Sequence, residues 1–305
     1  MALLDNVMSA AAAHGGSLTR AQVRDLGCTD RDIKRWVADG QARVLWRGIL
    51  AFGAAPDDDT SRHRELVTAV ARAYGDRLVI SHHSALVMHE LPTYDADLAV
   101  VRLIRRNKGD SIATGPVRIS KCRVDLVDEL LNGVLVVTGA VAVAQVAEEL
   151  GIDAAVVAGD AALHREVCSL QQLAAGAELI GLLRSSPRPR QAVTLMDARS
   201  ESPGESLLRL IATRARITLQ PQYEVLDDRG RFVARADFRL LGADTLVEFD
   251  GKVKYNGPDA LFAEKRREDA LRALGWRVLR FVWADLSKPA VVTARLRSAL
   301  TNAAS

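Results

Sequence analysis

Apolar positions recur at helical spacing in the first forty residues. Residues 3 to 13 are alanine-rich, with Leu4, Val7 and Met8 on one side, and Gly15-Gly16 end the run. That period predicts a first helix. Thr19 followed by Gln22 has capping-box spacing, and Gly27 suits a helix end, so a second helix lies between them. A third starts at Thr29, carries Ile33, Trp36 and Val37 on one face with Arg31, Lys34 and Arg35 around it, and stops at Asp39-Gly40. From Ala42 to Phe52 the pattern changes to that of two strands turning near Arg47-Gly48.

Pro56-Asp57-Asp58-Asp59 is a turn-rich acidic linker, followed by a helix with Leu66, Val67, Val70 and Ala71 as its core face. Leu78-Val79-Ile80 reads as a strand, and Ser81 to Pro92 as a capped helix. Leu98–Ile104 and Val117–Cys122 alternate like strands, joined by the basic segment from Arg105 to Lys108, which reads as a solvated loop. Leu135 to Thr138 is a further strand, and Val141–Leu150 and Ala154–Leu163 are helices of small aliphatics. Ser185 to Arg190, with two prolines, reads as a linker into the last third. His82, His83 and His89 match no common zinc spacing and read as structural. Asp160 and His164, four apart on one helix, read as a simple side-chain contact.

The last third departs from ordinary patterning. Ser202-Pro203-Gly204-Glu205 opens a helix continuing through Leu207, Leu208, Leu210 and Ile211. Gln222–Leu226 and Arg231–Phe238 flank the turn sequence Asp227-Asp228-Arg229-Gly230 and predict a hairpin. A strand over Thr245–Phe249, a helix over 259–274, a strand over Arg277–Val282 and a final helix from Ser287 follow. Acids interrupt strands that otherwise read as buried: Asp237 between Ala236 and Phe238, and Glu248 and Asp250 around Phe249. Strand side chains alternate faces, so Glu248 and Asp250 share one face, and a paired neighbouring strand brings Asp237 onto it. Carboxylates gathered in this way repel unless a cation compensates, which makes Asp237, Glu248 and Asp250 candidate metal ligands. Glu205 stands three residues after Ser202, so its place also fits helix capping.

The 305 residues suggest two or three domains, divided at 1–55, 56–195 and 196–305. Hydrophobic content of 49% with 5% aromatic describes an aliphatic-rich globular chain. A net charge of +3 weakly favours an anionic partner. Cys28, Cys122 and Cys168 are widely spaced, which argues against a zinc cage or disulfide framework and fits a reducing cytoplasm. The longest uncharged run, Leu130–Ala147, is broken by Asn132, Gly133, Thr138 and Gly139, so no membrane association is expected; the N-terminus lacks the basic start of a signal peptide.

Three short helices followed by a hairpin are the order of a winged helix-turn-helix, in which a basic third helix enters the DNA major groove. Arg31, Lys34 and Arg35 are then the groove-facing candidates, with Arg43, Trp46 and Arg47 on the wing toward the backbone. This segment, together with the block that follows it around Ser81–Pro92, resembles the AbiEi-type antitoxins and their transcription-factor relatives. Ala236-Asp237-Phe238, Val247-Glu248-Phe249-Asp250-Gly251 and the block Glu264–Phe281 resemble the PD-(D/E)XK nuclease core, and more closely its very-short-patch-repair-type endonuclease domains, over roughly residues 200 to 303. The fold expected is therefore a multidomain α+β chain: an N-terminal winged helix, a middle α/β scaffold and a C-terminal restriction-endonuclease-like core. The resemblance implies DNA as partner and Mg²⁺ or Mn²⁺ held by Asp237 and Glu248, with Asp250 as a further ligand. It also implies help from Glu205, and charge stabilisation by Lys252 or Lys254. Two positions depart from the pattern: Asp250 stands at the usual lysine of E-x-K, and Lys254 where the very-short-patch type often has histidine. The activity expected is Mg²⁺-dependent cleavage of DNA. The rival is an antitoxin-like regulator whose nuclease fold is inactive, with a toxin partner or a second copy as its associate.

Overall fold

The computed structural model describes residues 2–106, 109–121, 126–251 and 258–302, with 258–264 described as backbone alone. The first unit contains α1 (Ala2–Ala13), β1 (Ser17–Thr19), α2 (Arg20–Asp25), α3 (Asp30–Ala38), β2 (Ala42–Trp46) and β3 (Ile49–Phe52). Capping boxes start both short helices, Thr19 with Gln22 and Thr29 with Asp32. The pattern did not foretell β1. Three residues are too few to show a period, and Ser17–Thr19 become a strand only by pairing with Ile49–Ala51 of β3. The sheet order is β1-β3-β2, and Val7, Leu18, Val23, Ile33, Trp36 and Leu50 fill the core beneath it.

The middle unit runs α4 (Asp59–Tyr74), β4 (Leu78–Ile80), α5 (His82–Met88), β5 (Val101–Arg105), β6 (Ile112–Thr114), β7 (Val117–Lys121), β8 (Asp128–Leu131) and β9 (Val134–Val137). Four helices follow: α6 (Gly139–Glu149), α7 (Ile152–His164), α8 (Leu170–Arg184) and α9 (Arg188–Val193). Its six strands form one mixed sheet in the order β6-β7-β5-β4-β9-β8. All three residues of β4 are buried at the centre, as its unbroken apolar sequence requires. The stretch expected to be a linker is instead packed. Ser185 closes α8 in the left-handed region, Pro189 and Ala192 of α9 are buried, and Arg190 grips Glu178 on α8 through two hydrogen bonds of 2.5 and 2.7 Å. Proline in the first turn of a helix is favourable, so the two prolines start α9 and do not loosen the chain.

The last unit contains α10 (Pro203–Arg214), β10 (Leu219–Leu226), β11 (Phe232–Leu240), β12 (Thr245–Phe249), α11 (Pro258–Ala273), β13 (Arg277–Phe281), α12 (Trp283–Leu286) and α13 (Pro289–Thr301). Strands β10, β11 and β12 are antiparallel neighbours, and β13 joins β12 in parallel after the α11 crossover. Phe238, Val247 and Phe281 pack with Leu208, Ile211 and Leu296 of α10 and α13. Leu246 and Val278 pack with Leu271 of α11 in a separate cluster. Full burial of each large apolar side chain contributes about 1.5–3 kcal/mol, so these clusters fix which way β12 faces. A Cβ on Gly204 would stand 2.0 Å from the Phe249 ring, so only glycine lets the first turn of α10 lie against the end of β12.

Asp160 and His164 do not contact one another as the spacing suggested. Asp160, 1% exposed, accepts from Arg209 of α10 at 2.6 Å and from the Asp197 amide at 2.7 Å, while His164 bonds the Ala198 carbonyl at 3.1 Å. Both side chains of α7 thus hold the segment leading into α10, and Val157 of α7 enters the core of the last unit. The fold is mixed α+β with separate three-, four- and six-stranded sheets. Among the described residues no helix is long and apolar enough to cross a membrane.

Candidate functional site

The acids of the last unit lie near the junction of α10, β11 and β12, close enough for Glu205, Glu248 and Glu201 to act on Asp237. Phe238 lies opposite Val247, which sets Asp237 beside the far end of β12, and its Oδ2 accepts the Phe249 amide at 2.7 Å. Burial pushes the Asp237 carboxyl up to about 6; the Phe249 amide pulls it down, and the charges of Glu205, Glu248 and Glu201 push it further up. Glu205, 6% exposed, comes from the first turn of α10. Its amide donates to the Ser202 hydroxyl at 3.2 Å, but its carboxylate accepts from the Glu201 amide at 3.0 Å and from Gln222 at 3.1 Å. The capping spacing therefore accounts for its backbone, while its carboxylate faces β10 and β11.

Glu248 is placed differently from a free ligand. Val247 and Phe249 join the cluster under α10, as alternation demanded, and Glu248 faces α11. There one oxygen accepts from Arg267 at 2.7 Å and the other from Arg280 at 3.3 Å. Arg280 also donates to Glu268 at 3.2 Å. Asp250 lies just past the strand end, half-buried, with its amide bonded to the Phe281 carbonyl at 2.8 Å. The acids acting most strongly on Asp237 are thus Glu205, Glu248 and Glu201, a set that overlaps only partly with the one read from alternation. Lys252 and Lys254 lie outside the described residues. Among the described residues no three His, Cys, Asp or Glu side chains are grouped so as to hold a metal ion.

Arg267, Arg280 and Glu201 were not singled out from the sequence. For Arg280 a signal existed. It stands opposite Glu248 in the parallel register, two residues from Val278 on the same covered face, and a charge at such a position needs a partner.

At the other end of the chain, Arg31, Lys34 and Arg35 of α3 are exposed, opposite the buried Ile33 and Trp36. Arg35 makes a 3.0 Å pair with Asp32, and Arg24 pairs with Asp30, so part of this face is self-neutralised. Arg47 is exposed in the β2–β3 turn, 6.0 Å over the Trp46 ring. Two wing positions are not outward. Arg43 donates to both oxygens of Glu65 on α4 at 3.0 and 2.7 Å and to the Gly53 and Ala54 carbonyls. Trp46, 7% exposed, donates to the Thr114 carbonyl at 3.3 Å and packs near Tyr74. Both tie the first unit to the middle one, because their bonding groups find fixed acceptors on the middle unit and the chain leading to it.

The histidines have structural partners. His63 bonds Ser84 and the Leu98 carbonyl at 2.8 and 2.9 Å, His83 bonds the Val100 carbonyl at 2.7 Å, and His89 bonds the Val137 carbonyl at 2.8 Å. Burial pulls His63 down to about 4, so it is neutral at pH 7. No protein-family model matches the sequence, and no curated protein matches it.

Proposed function

We propose that this chain is a duplex-DNA-binding protein with a winged-helix reader at its N-terminus and a restriction-endonuclease-like core at its C-terminus that serves as a second DNA clamp. The observation that carries the reading is the outward set Arg31, Lys34, Arg35 and Arg47, presented by a third helix and a hairpin turn over an apolar core. In such a frame the helix enters the major groove and the turn meets the backbone. The order α10-β10-β11-β12-α11-β13, with Glu205, Asp237 and Glu248 on its first helix and middle strands, supports the second half of the reading. Fluorescence anisotropy with a labelled duplex tests it. Affinity should fall with salt at a log–log slope of about −0.9 per phosphate neutralised, and Arg31→Ala, Lys34→Ala and Arg47→Ala should each flatten that slope. An unchanged slope in the triple variant refutes it. Arg43→Ala should act instead through stability, since Glu65 already holds that guanidinium.

Mg²⁺ takes carboxylate oxygens together with water and substrate phosphate. The acids as placed do not fit that demand, because both oxygens of Glu248 are held by guanidinium groups. The clamp reading is preferred for that reason. Phosphodiester hydrolysis is the second reading, favoured by the raised Asp237 carboxyl, which burial and the charges of Glu205, Glu248 and Glu201 push up to about 6. It requires Arg267 and Arg280 to let go of Glu248 when DNA phosphate draws them away. Plasmid nicking in Mg²⁺ or Mn²⁺ that disappears in Asp237→Ala establishes hydrolysis; intact plasmid with both metals leaves the clamp.

A further inference from the structure

A cavity of about 790 Å³ opens in the middle unit between the sheet and helices α6 and α8, and none of its lining residues belongs to either site described above. Its volume lies within the roughly 300–1,000 Å³ typical of small-molecule sites. The wall combines three kinds of surface. Ile104, Ile180 and Leu183 supply an apolar side, while Arg102, Lys121 and Arg184 supply cations. The third surface is polar and incompletely satisfied.

His82 lies on that third surface. It is 6% exposed, and its φ of +52° places a non-glycine residue in the left-handed region. Such backbone is strained and persists where its surroundings enforce it. Here the enforcing contact is Gln145 of α6, whose side-chain oxygen accepts the His82 amide at 2.8 Å. Nδ1 of His82 is bonded to the Ser81 hydroxyl at 3.0 Å, which leaves Nε2 without a hydrogen-bond partner among the described residues. Burial, Arg102, His83 and Arg184 together keep the ring neutral. Glu148 lines the same cavity, and its Oε1 is buried with no hydrogen-bond partner. A buried acceptor left unpaired is destabilising, so a donor that reaches Glu148 Oε1 through a small turn of its side chain is favoured.

The cations are unequal. Arg102 is neutralised by Glu149 at 3.0 Å, and Lys121 holds only the exposed Asp110 at 3.1 Å. Arg184 is exposed and makes no ion pair among the described residues. The unpaired positive charge therefore lies at Arg184, Lys121 is held only by a solvated carboxylate, and the unmet acceptor is Glu148.

We propose that this cavity binds a nucleoside monophosphate. The phosphate sits against Arg184 and Lys121, the base lies on Ile104, Ile180 and Leu183, and an amino or ring N–H of the base donates to Glu148. His82 Nε2 supplies a second, neutral contact. A simple anion would leave Glu148 unmet and the apolar wall bare, while an uncharged nucleoside would leave Arg184 unpaired.

Isothermal titration of the full chain with AMP, GMP, CMP and UMP, alongside inorganic phosphate and the matching nucleosides, tests the proposal. At least one monophosphate should bind tenfold or more tightly than both its nucleoside and free phosphate. Arg184→Ala, at an exposed position, should weaken the monophosphate at least tenfold and leave the nucleoside unchanged. Glu148→Ala should weaken both while raising the melting temperature of the empty protein, because it removes an unpaired buried acceptor. No binding of any monophosphate at millimolar concentration overturns the proposal, as does binding unaffected by both substitutions.

Discussion

Replacing Asp237 by asparagine should stabilise the last unit, and by an amount that depends on pH. An acid whose carboxyl rises from 3.8 to about 6 on folding binds its proton more tightly in the native state. The contribution of this group is most favourable below pH 3.8 and is lost as pH rises to about 6, because the unfolded chain releases the proton more readily. The gap is about two pKa units, and at about 1.36 kcal/mol each it corresponds to about 3 kcal/mol above pH 7. Asp237 keeps some contact with solvent, which screens its charge and brings the effect to about 2–3 kcal/mol. Asparagine retains an oxygen for the Phe249 amide, so the contact at 2.7 Å survives while the charge is removed. Urea unfolding from pH 4 to 8, followed by Trp276 and Trp283 with Trp36 and Trp46 changed to phenylalanine in both proteins, isolates this unit. The difference between Asp237→Asn and the parent should be near zero at pH 4 and reach about 2–3 kcal/mol at pH 7.5. Changes in the buried histidines cancel in that difference. A gap that is constant across the range would refute the electrostatic reasoning.

The histidines themselves predict the opposite slope. His63 is neutral when folded, with its pKa near 4, so the middle unit should lose stability as pH falls from 6.5 toward 4, and His63→Gln should flatten that loss in urea melts. Arg209→Ala should destabilise the chain by about 3–5 kcal/mol, since it leaves Asp160 buried without its counter-charge; Asp160→Asn in the same chain should recover part of it by urea unfolding. Arg267→Met should make the acidic site responsive to cations. Mg²⁺ at ten times its dissociation constant stabilises a protein by about 1.4 kcal/mol, a melting shift of several degrees, expected in the variant and not in the parent. Equal shifts in the two proteins would show that Arg267 does not control the site.

Much of the architecture was legible because it depends on local signals. Thr19-Gln22 and Thr29-Asp32 cap their helices whatever surrounds them, and the alternation across Leu246–Phe249 assigned Val247 and Phe249 to one core and Glu248 to the opposite face. The turn at Asp227–Gly230 was likewise set by its own residues, with Asp227 bonding the Arg229 and Arg231 amides.

What tertiary structure alone decided were pairings between distant segments. Sequence marks Asp237 and Glu248 as acids in apolar strands. Only the assembled sheet shows that Glu248 turns to Arg267 and Arg280, and that Glu205 and Glu201 complete the field around Asp237. Arg43 and Trp46 carry the chemistry of a DNA-facing wing, yet Glu65 and Thr114, 22 and 68 residues away, draw them inward. The physical reason is the same in each case. Periodicity and capping are energies between near neighbours in the chain and can be read from it. The partner of a long charged side chain is set by which distant acceptor the packed backbone brings within 3 Å, and no local pattern encodes that distance.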